Sequence, residues 1–501
     1  MKMYLLCFQL CVITFLSVEG QQNSNLVHFS GQINSDLDSV KLLVAFNNNY
    51  ISGGRFESEW INIPVDRNGK FYFSLSCLNN LSRIYIVDRV STDVLFTQEQ
   101  QIVEPGDSIF FRGTIHDREE PYYFTGKFSG KGAGKYECIQ ALKSIDDERL
   151  RNVNIDLPLK IRIRDSLLAV KLALLNTFKK QMSAQVYEII KSDMTGDIDN
   201  DILMSFSSIF YQKLSQSEMI KKRQAFEKYI KRCTMPASNK ALAFSVGYSK
   251  FLYEKEKAVL AFIYNGYNFH LKALYDRLSN EYTGILREKL LTHCLLNDTD
   301  LYGIFSENTS EKYSYCLKNA ISVIQTPLFK QSLENRLIKR GKGAVAYNFT
   351  LPVDSSNRKL SLSDLKGKVI LLDMWGYTCT GCTLFAKSFH EKVHPLFKDN
   401  PNFTVVSVML GETSKTAYMR RLRQEEGVIY TYPDNINLFG GSGEEAGRAI
   451  EKYYSINAFP FILLIDKRGK IYSSTIPFFT QPNSPNVHKL IALIKKALNE
   501  S

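Results

Sequence analysis

The feature that most constrains this chain is Trp375-Gly376-Tyr377-Thr378-Cys379-Thr380-Gly381-Cys382. It follows an apolar run, Val369-Ile370-Leu371-Leu372, which reads as a buried strand. It precedes Leu384, Phe385, Phe389, Val393 and Leu396, whose spacing puts them on one face of a helix. The Cys-x-x-Cys therefore falls where a strand ends and a helix begins. The unpaired N–H groups and the positive dipole end at such a junction favour a thiolate on the first cysteine. A thiolate attacks disulfides. The second cysteine, one turn on, can then attack the mixed disulfide and release the product. The same spacing also serves half of a zinc site or a structural disulfide. Zinc needs a second ligand pair, and His390 and His394, on the same helix, bring no second pair of cysteines, so no metal is expected. A redox pair after a strand fits better.

At 501 residues the chain is too long for one ordinary core, and two or three domains are expected. Hydrophobic content of 44% and charged content of 23% are those of a globular protein. The net charge is +12, but Lys and Arg are scattered rather than blocked. That reads as a solvated basic surface, and no nucleic-acid partner is expected. Residues 1–20 read as an export signal: Lys2 is the positive start, Tyr4 to Val18 is mostly apolar, and Val18-Glu19-Gly20 offers a cleavage site before Gln21. A retained signal segment would tie the protein to a membrane. No later stretch reaches about 18 apolar residues. Export leads to a compartment where disulfides persist. Outside the motif stand Cys77, Cys138, Cys233, Cys294 and Cys316, which form no framework; Cys294 and Cys316 could pair, but buried thiols are expected.

Residues 21–130 carry a strand-and-turn pattern. Val27 to Ile33, Val40 to Phe46 and Trp60 to Val65 read as strands, and Asp66-Arg67-Asn68-Gly69 as a hairpin turn before Phe71, Phe73 and Leu75. A β-sandwich-like module is expected. Gly126 to Gly134 reads as a glycine-rich connector, without the Gly-Lys-Ser/Thr ending of a phosphate loop. Residues 131–339 read as all-helical, with Leu168, Leu172, Leu175, Phe178, Met182, Val186 and Ile189 among the packing stripes. Further stripes run through 202–229, 241–253, 259–278, 285–296 and 316–337. Asp193, Asp197, Asp199 and Asp201 are expected in a solvated turn between two helices, since their spacing does not fit a calcium loop. Lys339 to Gly343 reads as a linker. From 344 to 501 strands alternate with helices, as in an α/β sheet. Phe403 to Leu410 and Phe461 to Ile465 are its clearest further strands.

Residues 344–501 resemble the thioredoxin superfamily, and within it the exported TlpA/ResA-like thiol-disulfide oxidoreductases. The resemblance rests on Asn348-Phe349, Ser361 to Lys368, Trp375 to Cys382, Gly411-Glu412-Thr413 and Phe459-Pro460. The N-terminal two-thirds resembles, by layout only, the accessory regions of large exported members from Gram-negative bacteria. The resemblance implies a periplasmic disulfide reductase without a cofactor. Its partners would be disulfide-containing client proteins and an upstream thiol protein that donates electrons. It implies that Cys379 attacks and Cys382 resolves the mixed disulfide. Asp373 matches the buried carboxylate that relays the proton of the second thiol, and burial in an apolar strand should raise its pKa. Glu412 matches a glutamate lining the active site. Pro460 matches a cis-proline facing the cysteines, with the backbone of Phe459 available to a substrate strand. Trp375 is expected to wall the site.

The sequence departs from the family at Thr380-Gly381, where a proline is common, at Thr378 in place of Trp, and at Phe461, where many relatives have Thr. Without proline the helix start is less rigid. Two other readings stand beside the reductase. A thiol peroxidase needs a Pro-x-x-x-Thr-x-x-Cys setting, and Leu372 and Gly376 occupy those positions before Cys379. A scaffolding protein with a vestigial redox domain would not need Cys379, Cys382, Asp373 and Pro460 together.

Overall fold

A computed structural model describes residues 25–35, 42–47, 59–77, 81–88, 94–95, 101–115, 124–146, 148–152, 156–207, 210, 215–233, 238–267, 269–297, 300, 310–353, 358–411, 414–423, 431–432, 434–456 and 458–500. The expected export signal and Glu412 lie outside the described residues.

The first strands form two sheets. One runs in the order β4 (Lys70–Ser76), β1 (Leu26–Ser35), β8 (Ser108–Ile115), β9 (Phe124–Lys131). The other runs β3 (Glu59–Ile63), β2 (Leu42–Asn47), β5 (Ser82–Asp88), β6 (Val94–Leu95), with β7 (Gln101–Val103) also on β5. The turn at 66–69 forms, with Asp66 Oδ1 accepting the backbone N–H groups of Asn68 and Lys70. Across the turn Val65 bridges Phe71 antiparallel, but β3 and β4 part beyond that pair. β3 pairs with β2, whereas β4 pairs antiparallel with β1. Phe71, Phe73 and Leu75 alternate inward on β4, and the Phe73 ring stacks on Phe29 of β1 at 5.1 Å. Val27, Phe29 and Ile109 of one sheet share a core with Val44, Ile63 and Ile84 of the other. Most of the expected glycine-rich connector is strand: β9 pairs with β8 along its length. A Cβ on Gly126 would overlap the Phe111 ring, so glycine here makes room for an aromatic.

The helical region comprises α1 (Gly134–Lys143), α2 (Leu157–Thr177), α3 (Ala184–Ser207), α4 (Gln216–Ile230), α5 (Asn239–Phe244), α6 (Val246–Tyr264), α7 (Leu271–Glu281), α8 (Gly284–Leu296), α9 (Ser310–Val323) and α10 (Pro327–Arg340). The stripe expected across 316–337 is broken between α9 and α10, because Pro327 starts a new helix. The Asp193 to Asp201 cluster lies inside α3 rather than in a solvated turn. Asp199 is fully buried and accepts from Arg164 at 2.7 Å and from the Tyr229 hydroxyl at 2.9 Å. Asp193 pairs with Arg83 of β5 at 2.7 Å. Partners waiting in space let these acids stay inside a helix.

Beyond α10, β10 (Thr350–Pro352) and β11 (Lys359–Ser361) form a small antiparallel pair. The main C-terminal sheet has five strands in the order β14 (Ile436–Phe439), β13 (Phe403–Leu410), β12 (Val369–Gly376), β15 (Phe461–Ile465), β16 (Ile471–Ser473). β12 pairs in parallel with β13 and antiparallel with β15, so the sheet is mixed. Its faces carry α11 (Thr380–Lys392), α12 (Lys415–Leu422), α13 (Glu445–Tyr454) and α14 (Pro485–Glu500). Alternation divides β12. Ile370, Leu372 and Met374 enter one apolar core with Ile450 and Tyr454, while Val369 and Leu371 face Phe385, Phe389 and Leu490 in another. No helix among the described residues is long and apolar enough to cross a membrane.

Candidate active site

β12 ends at Gly376, and α11 starts four residues later. Cys379 is the N-cap of α11, and its Sγ accepts the Cys382 backbone N–H at 3.1 Å. The cysteine sulfur thus occupies the position of a capping side chain, where otherwise unpaired helix N–H groups converge. Cys379 and Cys382 are joined as a disulfide with their Cα atoms 5.3 Å apart. Cys379 is half-buried and Thr378 beside it exposed, whereas Cys382 is 1% exposed. The asymmetry leaves one sulfur open to an incoming group and shields the other.

Asp373 lies two residues before Trp375 on the buried strand. The alternation of β12 puts it on the face of Leu371, the side of the sheet covered by α11. It is buried, its Oδ1 has no hydrogen-bond partner, and burial alone pushes its pKa up to about 7. A buried carboxyl of that pKa can accept and return a proton near neutrality.

The Phe459-Pro460 peptide bond is cis. A Cβ built on Gly381, between the cysteines, would lie 3.8 Å from Pro460 Cδ and 3.7 Å from the Phe478 ring, so both flank the motif. Phe459 is half-buried, and its ring packs so closely on Gly376 that a Cβ there would come within 2.8 Å. Trp375 is only 1% exposed. Its indole Nε1 donates to Ser407 Oγ at 2.9 Å, and it packs with Cys382, Met409, Tyr418 and Phe439. In this structure Trp375 packs against Cys382 from inside, rather than walling an open cleft.

The structure therefore gathers Cys379, Cys382, Trp375, Phe459 and Pro460 around one strand-to-helix turn, with Asp373 on the strand that feeds it. Sequence reasoning missed Phe478, Tyr418 and Ser407. Phe478 stacks on Phe385 of α11 at 5.6 Å, and only the adjacent aromatics Phe478-Phe479 hinted at it. Ser407 became visible only through the parallel register of β12 and β13. The remaining cysteines contrast with the pair. Cys77, Cys138, Cys233, Cys294 and Cys316 are free and buried. Burial pushes the Cys138 and Cys233 thiols up to about 12, which makes poor nucleophiles of them.

Residues 367–471 match the thioredoxin-like family model. The chain is similar to the thiol-disulfide oxidoreductase ResA of Bacillus cereus, at 27% identity over 134 residues, covering 27% of this chain and 69% of that protein. It is also similar to ResA of Bacillus subtilis, at 28% identity over 155 residues, covering 31% of this chain and 76% of that protein. Among solved structures, the thioredoxin domain of a thiol-disulfide oxidoreductase from Bacteroides vulgatus is 22% identical, with a TM-score of 0.26. It aligns with 32% of this chain and 98% of its own.

Proposed function

From a C-terminal domain that is thioredoxin-like and similar to ResA-type thiol-disulfide oxidoreductases, we propose that this chain is an exported reductase of disulfides in other proteins. The observation that carries the reading is the half-exposed Cys379 capping α11 beside a buried Cys382. In the reduced pair, the Cys379 thiolate attacks one sulfur of a client disulfide. A Cys379–client bond forms, and the other client sulfur leaves as a thiolate that takes a proton from water. Cys382 then gives its proton to the Asp373 carboxylate and attacks the Cys379 sulfur. The Cys379–Cys382 bond forms, and the second client sulfur leaves and is protonated. Two electrons have passed to the client, and an upstream thiol protein must return them.

The backbone at Phe459, before the cis-proline, would pair with the client strand, and Trp375 would hold Cys382 in place. Glu412, following β13, is kept as a further candidate at the site. The sequence signal at 1–20 supports export to a periplasm-like compartment. Residues 21–130 are read as a sandwich-like module and 131–339 as a helical domain, both accessory to 344–501.

The test is the equilibrium reduction potential of the Cys379–Cys382 pair in thiol/disulfide buffers with mass readout. A value near or below about −230 mV supports a reductant. A value towards about −120 mV would make the pair a donor of disulfides and sink the reductase direction. Cys379→Ser should abolish exchange and spare client binding. Full biological activity in that variant would favour the scaffolding reading.

A further inference from the structure

At the far end of α11 stands a second cluster of chemistry-bearing side chains. His390 lies in the last turn of the helix and His394 one turn on, in the 3-10 turn 394–396. Their rings are 4.4 Å apart. Asp434 arrives from the segment before β14, and its Oδ2 lies 3.3 Å from His394 Nε2. One ligand atom from each of the three falls within 4.8 Å of the others. Two nitrogens or oxygens bound to one tetrahedral zinc at about 2.0 Å stand about 3.3 Å apart, which is the His394–Asp434 spacing.

We propose that His390, His394 and Asp434 form a binding site for a divalent ion of the zinc class, distinct from the redox pair. The donor set is two imidazoles and one carboxylate, which suits a borderline metal and leaves a position for water. The surroundings fit. Tyr432 stacks on the His390 ring at 3.5 Å and holds its plane. Asp434 is exposed, with 56% of its side chain open to solvent, and can close on the ion without repacking. The eight residues from Cys382 to His390 put the site about 12 Å along the helix from the redox pair. A bound ion would pin the C-terminal end of the active-site helix to the segment entering β14.

The test titrates zinc chloride into the full chain with Cys379–Cys382 oxidised, so that neither sulfur can ligate. Calorimetry should give one saturable equivalent. Cobalt as a substitute should give visible absorption without a thiolate charge-transfer band, which separates this site from the buried thiols. Asp434→Asn and His390→Gln should each weaken binding about tenfold or more. Because Asp434 is exposed, its loss leaves the fold intact, and an unchanged circular dichroism spectrum checks this. No saturable uptake by the wild type would overturn the site and leave a simple His–Asp hydrogen bond. Uptake unchanged in both variants, or a thiolate band, would overturn it equally.

Discussion

At the scale of single residues, Asp373 is the most exposed to test. Its pKa of about 7 in the fold lies above its ordinary 3.8, because burial penalises the charged form. An acid raised in the native state binds more protons folded than unfolded, so stability falls as pH rises from about 4 to about 7 and stays reduced above that. A shift of about 3 units corresponds to about 4 kcal/mol. Asp373→Asn, which keeps the shape and removes the charge, should therefore stabilise the oxidised protein by about 3 kcal/mol at about pH 8 and by almost nothing near pH 4. Urea unfolding at the two pH values measures this; equal effects at both would argue against a raised pKa. In the reduced protein the same variant should slow release of the mixed disulfide and remove the inflection near pH 7 from the rate profile.

At the scale of elements, the α3–α6 crossing depends on two glycines. A Cβ on Gly196 would lie 2.3 Å from the Tyr248 backbone, and one on Gly247 would lie 2.4 Å from the Asp193 carbonyl oxygen. Each glycine lets one helix backbone touch the other, and the N–H of Gly247 donates to Asp193 Oδ1 at 2.9 Å. Gly196→Ala should force the helices apart and destabilise the helical region by about 3 kcal/mol, read as a lower urea midpoint by circular dichroism. An unchanged midpoint would mean that the crossing relaxes freely. The active-site helix obeys a simpler rule: its start is capped by Cys379 and its buried face is the apolar stripe that includes Phe385 and Phe389.

At the scale of the whole molecule, the regions are joined by buried charges. Arg83 of β5 reaches Asp193 of α3 and also donates to the Phe244 carbonyl at 3.0 Å. Lys135 of α1 is buried against Asp107 at 2.6 Å and Glu104 at 3.1 Å. The stretch expected to be a linker is also structured. Lys339 and Arg340 are the last turn of α10, and Arg340 is 2% exposed. Its guanidinium donates to the Tyr454 and Ser455 carbonyls at the end of α13 and lies 4.5 Å from the centre of the Phe461 ring. Arg340→Ala should strand these carbonyls and lower the stability of the C-terminal domain by about 3 kcal/mol. Trp375 fluorescence during urea unfolding, in a Trp60→Phe background that leaves it the one tryptophan, reports it. A loss within error of zero would mean that α10 does not brace the domain.

The sequence alone determined the local facts about the Cys379–Cys382 site. The apolar run of β12, Phe385 and Phe389 of the expected helical stripe and the cysteines between them are short-range patterns, whereas Leu384 and Leu396 of that stripe are exposed, and Val393 and Leu396 lie beyond the end of α11. The turn at 66–69 was legible for the same reason, since Asp66 bonds the backbone of its own turn. Pairings between distant segments were not legible. β14 went unseen because it is four residues long and includes Asn437; its partner β13 makes it a strand. The acids of α3 looked solvated because Arg83, Arg164 and Tyr229 lie far away in the chain. His390 and His394 looked like an incomplete ligand set until Asp434 was brought beside them. Periodicity records which face a residue turns inward. Only the closed fold decides what meets it there, because burial, ion pairing and metal geometry depend on distances in space rather than along the chain.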